Sequence, residues 1–397
     1  MNDASTHVAL PNSAEAWLAR VAAVAPRIAA GAGEGERIRR VPDAVMAALH
    51  GEEMFRMLLP REFGGAEVSP PVFFRVVEEI ARHDASTSWC VCQGNGCAMM
   101  AAYLDAEVAY AIWGRDPRAI LSWGQGPAEA QAVDGGYRIA ASASFVSGGH
   151  HATWFGAHCP ITEADGRPRL RPEGQQETRT FLFPARIAPM TDDWDVLGLR
   201  ATGSDSIAVK DLFVREDHSI VREAPDLYCH RPLFLYSQMG IYALGFAGTA
   251  LGLARAVVDE FLALARDKKP RLVAVTHADN PVVHDELARA EARLSAAREY
   301  LLGTAERMWE ETVRSGETEI QARMRIRLAA THAIREAAEV VETLFATAGT
   351  AAIFTKSPFE RRLRDMHMVA QQIQGRKSHF QAVGAWMLGH EPDFSII

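Results

Sequence analysis

Apolar side chains recur at three- and four-residue spacing across 16–24 and 45–50, which predicts amphipathic helices in the first sixty residues. The stretch 72–81 repeats that pattern, and Ser86-Thr-Ser-Trp-Cys-Val-Cys starts another helix behind a hydroxyl N-cap. The run Gly31-Ala-Gly-Glu-Gly follows a helix rather than a strand, so it is expected to be a C-cap and loop, not a dinucleotide fingerprint. From about Ala119 the period changes. Short runs such as Ala119-Ile-Leu-Ser-Trp, Thr180-Phe-Leu-Phe and Ile207-Ala-Val-Lys-Asp-Leu-Phe-Val, punctuated by Asp134-Gly-Gly and Asp165-Gly, predict strands up to about Glu223. Long helical patterns then return over 238–266, 282–315, 319–349 and 357–373. The expected organisation is α+β in three parts: a helical domain over 1–118, a β-domain over 119–225 and a helical bundle over 226–397.

One stretch bears on the medium the chain folds in. Residues 232–254 carry no charged side chain, a length sufficient to cross a bilayer. They include Ser237, Gln238 and four glycines and run on into Arg255 and Asp259, so the segment reads as a buried helix. Gly248 and Gly252, four apart, bare a stripe of backbone that lets another helix or a flat ligand come close. With 48% hydrophobic and 23% charged residues the chain can bury a large core. Its formal charge of −8 offers no general attraction to nucleic acid or anionic lipid. The five cysteines have no disulfide-framework spacing and the first residues lack a basic, then apolar leader; both point to the cytoplasm.

Common catalytic constellations are missing. There is no Gly-x-Ser-x-Gly elbow, P-loop or His-Glu-x-x-His, which removes the usual hydrolase, nucleotide-triphosphate and zinc-protease readings. On a helix Cys90 and Cys92 point about 200° apart, so one metal cannot easily take both, and no metal is expected. His150 and His151 would alternate to opposite faces of a strand. More informative is Phe145-Val-Ser-Gly-Gly, where a hydroxyl at a strand end is followed by two glycines that let a planar cofactor lie on the backbone; a plain β-turn explains it equally well. Arg271, in a loop between two long helices, could clamp a phosphate.

Taken together, Leu59-Pro-Arg-Glu-Phe-Gly-Gly, Asp84-Ala-Ser-Thr-Ser-Trp, Phe145-Val-Ser-Gly, Leu197-Gly-Leu-Arg-Ala-Thr-Gly-Ser and Arg361-Arg-Leu-Arg-Asp-Met-His resemble the acyl-CoA dehydrogenase superfamily. The tail Gln371-Gln-Ile-Gln and Gly384-Ala-Trp-Met-Leu-Gly are most similar to its two-component (group D) flavin monooxygenases, including the indole-acetate monooxygenase type. The resemblance covers nearly the whole chain. It implies an N-terminal helical domain, a central β-barrel or sandwich and a C-terminal four-helix bundle. It also implies a homotetramer, FAD or FMN delivered reduced by a separate NAD(P)H-dependent reductase, and oxygenation of a small phenol- or indole-like substrate through a C4a-(hydro)peroxyflavin.

By that resemblance Ser147 faces flavin N5, Trp89, Ser122 and Trp123 border the ring, Arg271 takes the phosphate, and Gly349 packs near a neighbouring subunit's pyrophosphate. Two positions that hold histidines in several such hydroxylases fall near Asn95 to Cys97 and on or beside Gln372. These residues, with Ser147, are the candidate catalytic positions. Trp89, Phe145, Tyr242 and Gln372 are the candidate substrate walls. A dehydrogenase would need a carboxylate base where Gln372 or Tyr242 stands. An acyl-CoA dehydrogenase or flavin oxidase with a displaced base remains the alternative, as does a catalytically silent flavin-binding subunit. His367, five residues before Gln372, would point about 140° away from it on a continuous helix.

Overall fold

The computed structural model describes residues 10–172, 174–221, 229–270, 273, 275–392, 394 and 397. Helices α1 (Ala14–Ile38), α2 (Asp43–Gly51), α3 (Pro70–His83), α4 (Ala85–Ala98) and the short α5 (Ala106–Ala109) come first. The strands follow: β1 (Leu121–Trp123), β2 (Ala128–Val133), β3 (Gly136–Ala143), β4 (Trp154–Thr162), β5 (Thr178–Pro184), β6 (Met190–Thr191), β7 (Ser206–Arg215) and β8 (Ser219–Ile220). The chain closes with α6 (Gln238–Asp267), α7 (Pro281–Ser315), α8 (Ile320–Ala348), α9 (Pro358–Gln371) and α10 (Ser378–Met387). The strand order is β6-β7-β3-β2-β4-β5-β8, with β1 added parallel to β4.

Local chemistry sets the helix ends. The Asp84 carboxylate accepts Thr87 N–H (2.8 Å) and Thr87 Oγ1–H (2.7 Å), starting α4 directly after α3 stops. Ser237 caps α6 through Gly240 N–H, and Gly316, at φ +77°, lets the chain leave α7 in the left-handed conformation. Helix α6, uncharged up to Ala254, is long and apolar enough to span a membrane, but 94% of its most apolar window is buried by the rest of the protein. It packs against α3, α4, α8 and α9 as the central core helix. Its glycine stripe receives α3: a methyl group on Gly252 would overlap the Glu78 carbonyl, and one on Gly248 would press on Phe74.

Two local expectations are corrected. The glycine run is not a loop, because α1 continues through Gly31, Gly33 and Gly35 to Ile38. A methyl on Gly31 would lie 2.6 Å from Val45 Cγ2 and one on Gly35 would lie 2.9 Å from Ala201 Cβ, so these glycines bring α1 close to α2 and to the 200–202 turn. Nor are His150 and His151 on a strand. They occupy a 3₁₀ turn, Gly149–His151, where His150 Nε2 meets Asp205 Oδ2 at 2.6 Å and His151 Nε2–H donates to the Val41 carbonyl at 2.8 Å.

Candidate functional site

The turn after β3 and the loop before β7 meet the N-terminus of α4. Phe145 takes φ +62°, which flips the chain so that Val146 is buried and Ser147 turns inward, 8% exposed. Gly148 N–H donates to the Thr202 carbonyl at 2.8 Å, tying this turn to the 199–205 loop. That loop is held from three sides. Asp205 Oδ1 accepts Asp193 N–H and Trp194 N–H at 2.8 and 2.6 Å. Arg364 Nη1 donates to the Leu197 carbonyl at 2.6 Å, and Leu199 N–H donates to Asp365 Oδ1 at 2.6 Å. Burial, reinforced by the nearby Asp84 carboxylate, pushes the Asp365 carboxyl up to about 7.

Within this frame lies a chain of hydroxyl groups. Trp89 Nε1–H donates to Ser147 Oγ (3.1 Å), Ser147 Oγ and Ser204 Oγ are 2.7 Å apart, and Ser204 Oγ and Thr202 Oγ1 are 2.7 Å apart. Thr202 Oγ1–H donates to the Leu199 carbonyl (2.8 Å). Each hydroxyl has one proton, so a single assignment satisfies all four bonds: Ser204 donates to Thr202 and Ser147 donates to Ser204. Ser147 Oγ is left with a spare lone pair and no spare proton. Its environment accepts an N–H and repels another acceptor, and the aligned bonds behind it reinforce that polarity. Ser122, on β1, fixes the turn by donating to the Ser147 carbonyl at 2.8 Å.

The Trp89 indole continues as an aromatic slab. It stacks on Phe246 at 4.0 Å between centroids, and Phe246 stacks on Tyr242 at 5.5 Å. Under the far end sits a buried polar cluster: Tyr242 Oη lies 3.4 Å from Cys97 Sγ and 3.4 Å from Gln238 Nε2, which also donates to the Gly96 carbonyl at 2.9 Å. Gly96 is glycine because a side chain there would enter the Tyr242 ring.

The remaining nominated residues divide. Asn95 is fully buried, but its amide is spent on Met54 O, Val91 O and Leu58 N–H, which makes it a tie between α4 and the 54–58 segment. Trp123 is buried edge-on against His158 at 5.0 Å. Phe145 is 64% exposed, edge-on to Trp194 at 5.9 Å. Gln372 stands where α9 has already ended, with its Oε1 accepting Gln374 N–H at 2.6 Å. His367 lies on the surface 3.8 Å from Glu342. Gly349 is exposed at the end of α8 with φ +62°. Arg271 lies outside the described residues.

Sequence reading gave no role to Ser204, Thr202, Phe246, Gln238, Arg327 or Gln374. Both hydroxyls lie inside the Ala201-Thr-Gly-Ser204 motif. Phe246 stands one helical turn after Tyr242. Arg327 was legible as a charge on the buried α8 stripe that also holds Met324, Thr331 and Ile334.

Comparison with known proteins places the chain in a family. The family model for the N-terminal domain of acyl-CoA dehydrogenases matches residues 11–108, and the model for their C-terminal domain matches residues 244–375. The chain is 30% identical to indole-3-acetate monooxygenase of Pseudomonas putida, with 91% of this chain and 90% of that protein covered. It is 28% identical to the flavin-dependent monooxygenase oxygenase subunit HsaA of Rhodococcus jostii, over 88% of this chain and 91% of the relative. Among solved structures, XiaF from a Streptomyces species, in complex with FADH2 and glycerol, superposes with a TM-score of 0.88 at 25% identity, covering 96% of both chains.

Proposed function

Because the chain belongs to the acyl-CoA dehydrogenase family, in the branch of its two-component flavin monooxygenases, we propose that it is an oxygenase component that inserts one atom of O2 into a small indole- or phenol-like substrate. The second oxygen atom leaves as water. When bound, reduced FAD or FMN supplies the two electrons and the place where O2 is activated. The observation that carries this reading is the one-way hydroxyl chain ending at Ser147. A reduced flavin carries a proton on N5 and an oxidised flavin does not, so an acceptor-only Ser147 fits the reduced form.

The chain's own residues then have distinct tasks. Ser147 Oγ would accept a hydrogen bond from flavin N5–H and so orient the ring; Trp89 Nε1–H and Ser204 Oγ hold that hydroxyl in place, and Ser122 fixes the Ser147 backbone. The Trp89–Phe246–Tyr242 slab keeps water from the reacting face, and Tyr242 with Cys97 and Gln238 offers hydrogen bonds to a polar substituent. Gln372 and Tyr242 cannot abstract a carbon-bound proton as a carboxylate would, which weighs against acyl-CoA dehydrogenation. A separate flavin reductase supplies the reduced cofactor. Exposed Ile353, Phe354, Met387 and Leu388 supply apolar surface for a homotetramer, in which Gly349 would approach a neighbour's cofactor. The protein works in the cytoplasm.

The test is an anaerobic titration with reduced and oxidised FAD and FMN, followed by ¹⁸O2 in the presence of indole-3-acetate, indole and 4-hydroxyphenylacetate. Tighter binding of the reduced form and a product carrying one ¹⁸O are expected. Equal affinity for both redox forms, no labelled product and bleaching of the bound oxidised flavin by an acyl-CoA would overturn the reading.

A further inference from the structure

Arg327 is 1% exposed in the first third of α8, and among the described residues its charge has no counter-ion. Nη1 donates to the neutral amide oxygen of Gln374, Nη2 reaches the Met239 carbonyl at a long 3.4 Å, and Nε is buried without a partner. Among the described residues no carboxylate lies within 4.0 Å of it. The other deeply placed arginines are better satisfied. Arg362 grips Glu260 with two nitrogens at 2.7–3.0 Å, and Arg56 has carbonyls on all three of its nitrogens. Burial alone drags the Arg327 guanidinium down to about 10. A buried cation of this kind is costly until an anion reaches it.

The neighbours of Arg327 say where that anion comes from. Met239 follows Gln238 in the first turn of α6, and Tyr242 is one turn further, roughly 4.5 Å along the axis. On the other side, Gln374 N–H holds Gln372. The guanidinium is therefore bracketed by the two segments that carry the proposed substrate walls. We propose that Arg327 is the receptor for a carboxylate on the aromatic substrate, with the ring against the Tyr242–Phe246 slab and the acid group in the fork of the guanidinium. Arg327 then acts in binding and orientation, and the substrate class narrows to aromatic acids. This inference rests on the oxygenase reading above.

The experiment measures binding of indole-3-acetate, 4-hydroxyphenylacetate and benzoate against their neutral amides by calorimetry, with the flavin-free protein and again with oxidised flavin present. Native protein should favour at least one acid over its amide by about tenfold or more, the worth of a charge-assisted pair. Arg327→Met should abolish that preference while the amide binds as before, and Arg327→Lys should keep part of it. Unfolding midpoints of both variants check the fold; since the lone charge is unfavourable without ligand, Met should not lower the midpoint. No preference in the native protein, or a preference that survives in Arg327→Met, overturns the proposal. If neutral arenes nonetheless gain ¹⁸O, the oxygenase reading stands and only the acid receptor fails.

Discussion

Asp365 should make this protein's stability fall as the pH rises from mildly acidic to neutral. Its carboxyl is fully enclosed between α9, α4 and the 199–205 loop, takes one hydrogen bond from Leu199 N–H at 2.6 Å, and is pushed up to about 7 by burial and by the Asp84 carboxylate. An unfolded aspartate titrates near 3.9. Between these values the folded chain holds a proton that the unfolded chain has released, so stability is fully present below about pH 4 and is lost as pH rises through about 7. A gap of about 3 pH units at roughly 1.4 kcal/mol each sets an upper bound of about 4 kcal/mol. Asp365→Asn keeps an oxygen for Leu199 N–H but cannot titrate. Relative to the native protein, the variant should therefore gain stability steadily between about pH 4.5 and 8. At an unfolding entropy of about 2 cal/mol/K per residue, that bound corresponds to roughly 5 °C in melting midpoint for 397 residues. Paired calorimetric melts at each pH supply the measurement. If the two midpoint curves run parallel over the whole range, Asp365 does not hold a proton in the folded chain.

Three further outcomes follow from the same geometry. Ser204→Ala removes the acceptor of the Ser147 proton and frees it to donate; the preference for reduced over oxidised flavin should drop by about tenfold, one ordinary hydrogen bond, and an unchanged ratio of dissociation constants would reject the one-way chain. Gly252→Ala should destabilise by about 3 kcal/mol or block folding because the methyl meets the Glu78 backbone, whereas exposed Gly33→Ala, with open space around it, should stabilise by up to about 1 kcal/mol; denaturation midpoints separate the two. Glu260→Gln leaves the mostly buried Arg362 with a neutral partner and should cost about 1.5–3 kcal/mol, read by the same melts, with a near-zero change showing that the pair is only a surface contact.

The sequence alone determined the order of elements and the nature of the core, since both depend on local periodicity. The change from helical to alternating spacing and back, the uncharged run that became α6 and the turn glycines needed no knowledge of distant contacts. Resemblance singled out Ser147 and Trp89, whose side chains the structure joins by a hydrogen bond, and the lack of a carboxylate at Gln372 is plain from the sequence. Tertiary structure decided what depends on residues far apart in the chain. The Gly31–Gly35 run stays helical because α2 and the 200–202 turn press against it, a contact that spacing along one helix cannot reveal. Asn95 became a structural tie because its amide found three backbone partners in and around α4. The polarity of Ser147 depends on Ser204 and Thr202 directing their hydroxyl protons toward the Leu199 carbonyl. Spacing on α8 puts Arg327 on the apolar stripe, but only the packing of α6, α8 and the end of α9 decides that, among the described residues, no carboxylate meets it there. Propensity and pattern are properties of neighbours in sequence. Proton direction and uncompensated charge are properties of neighbours in space.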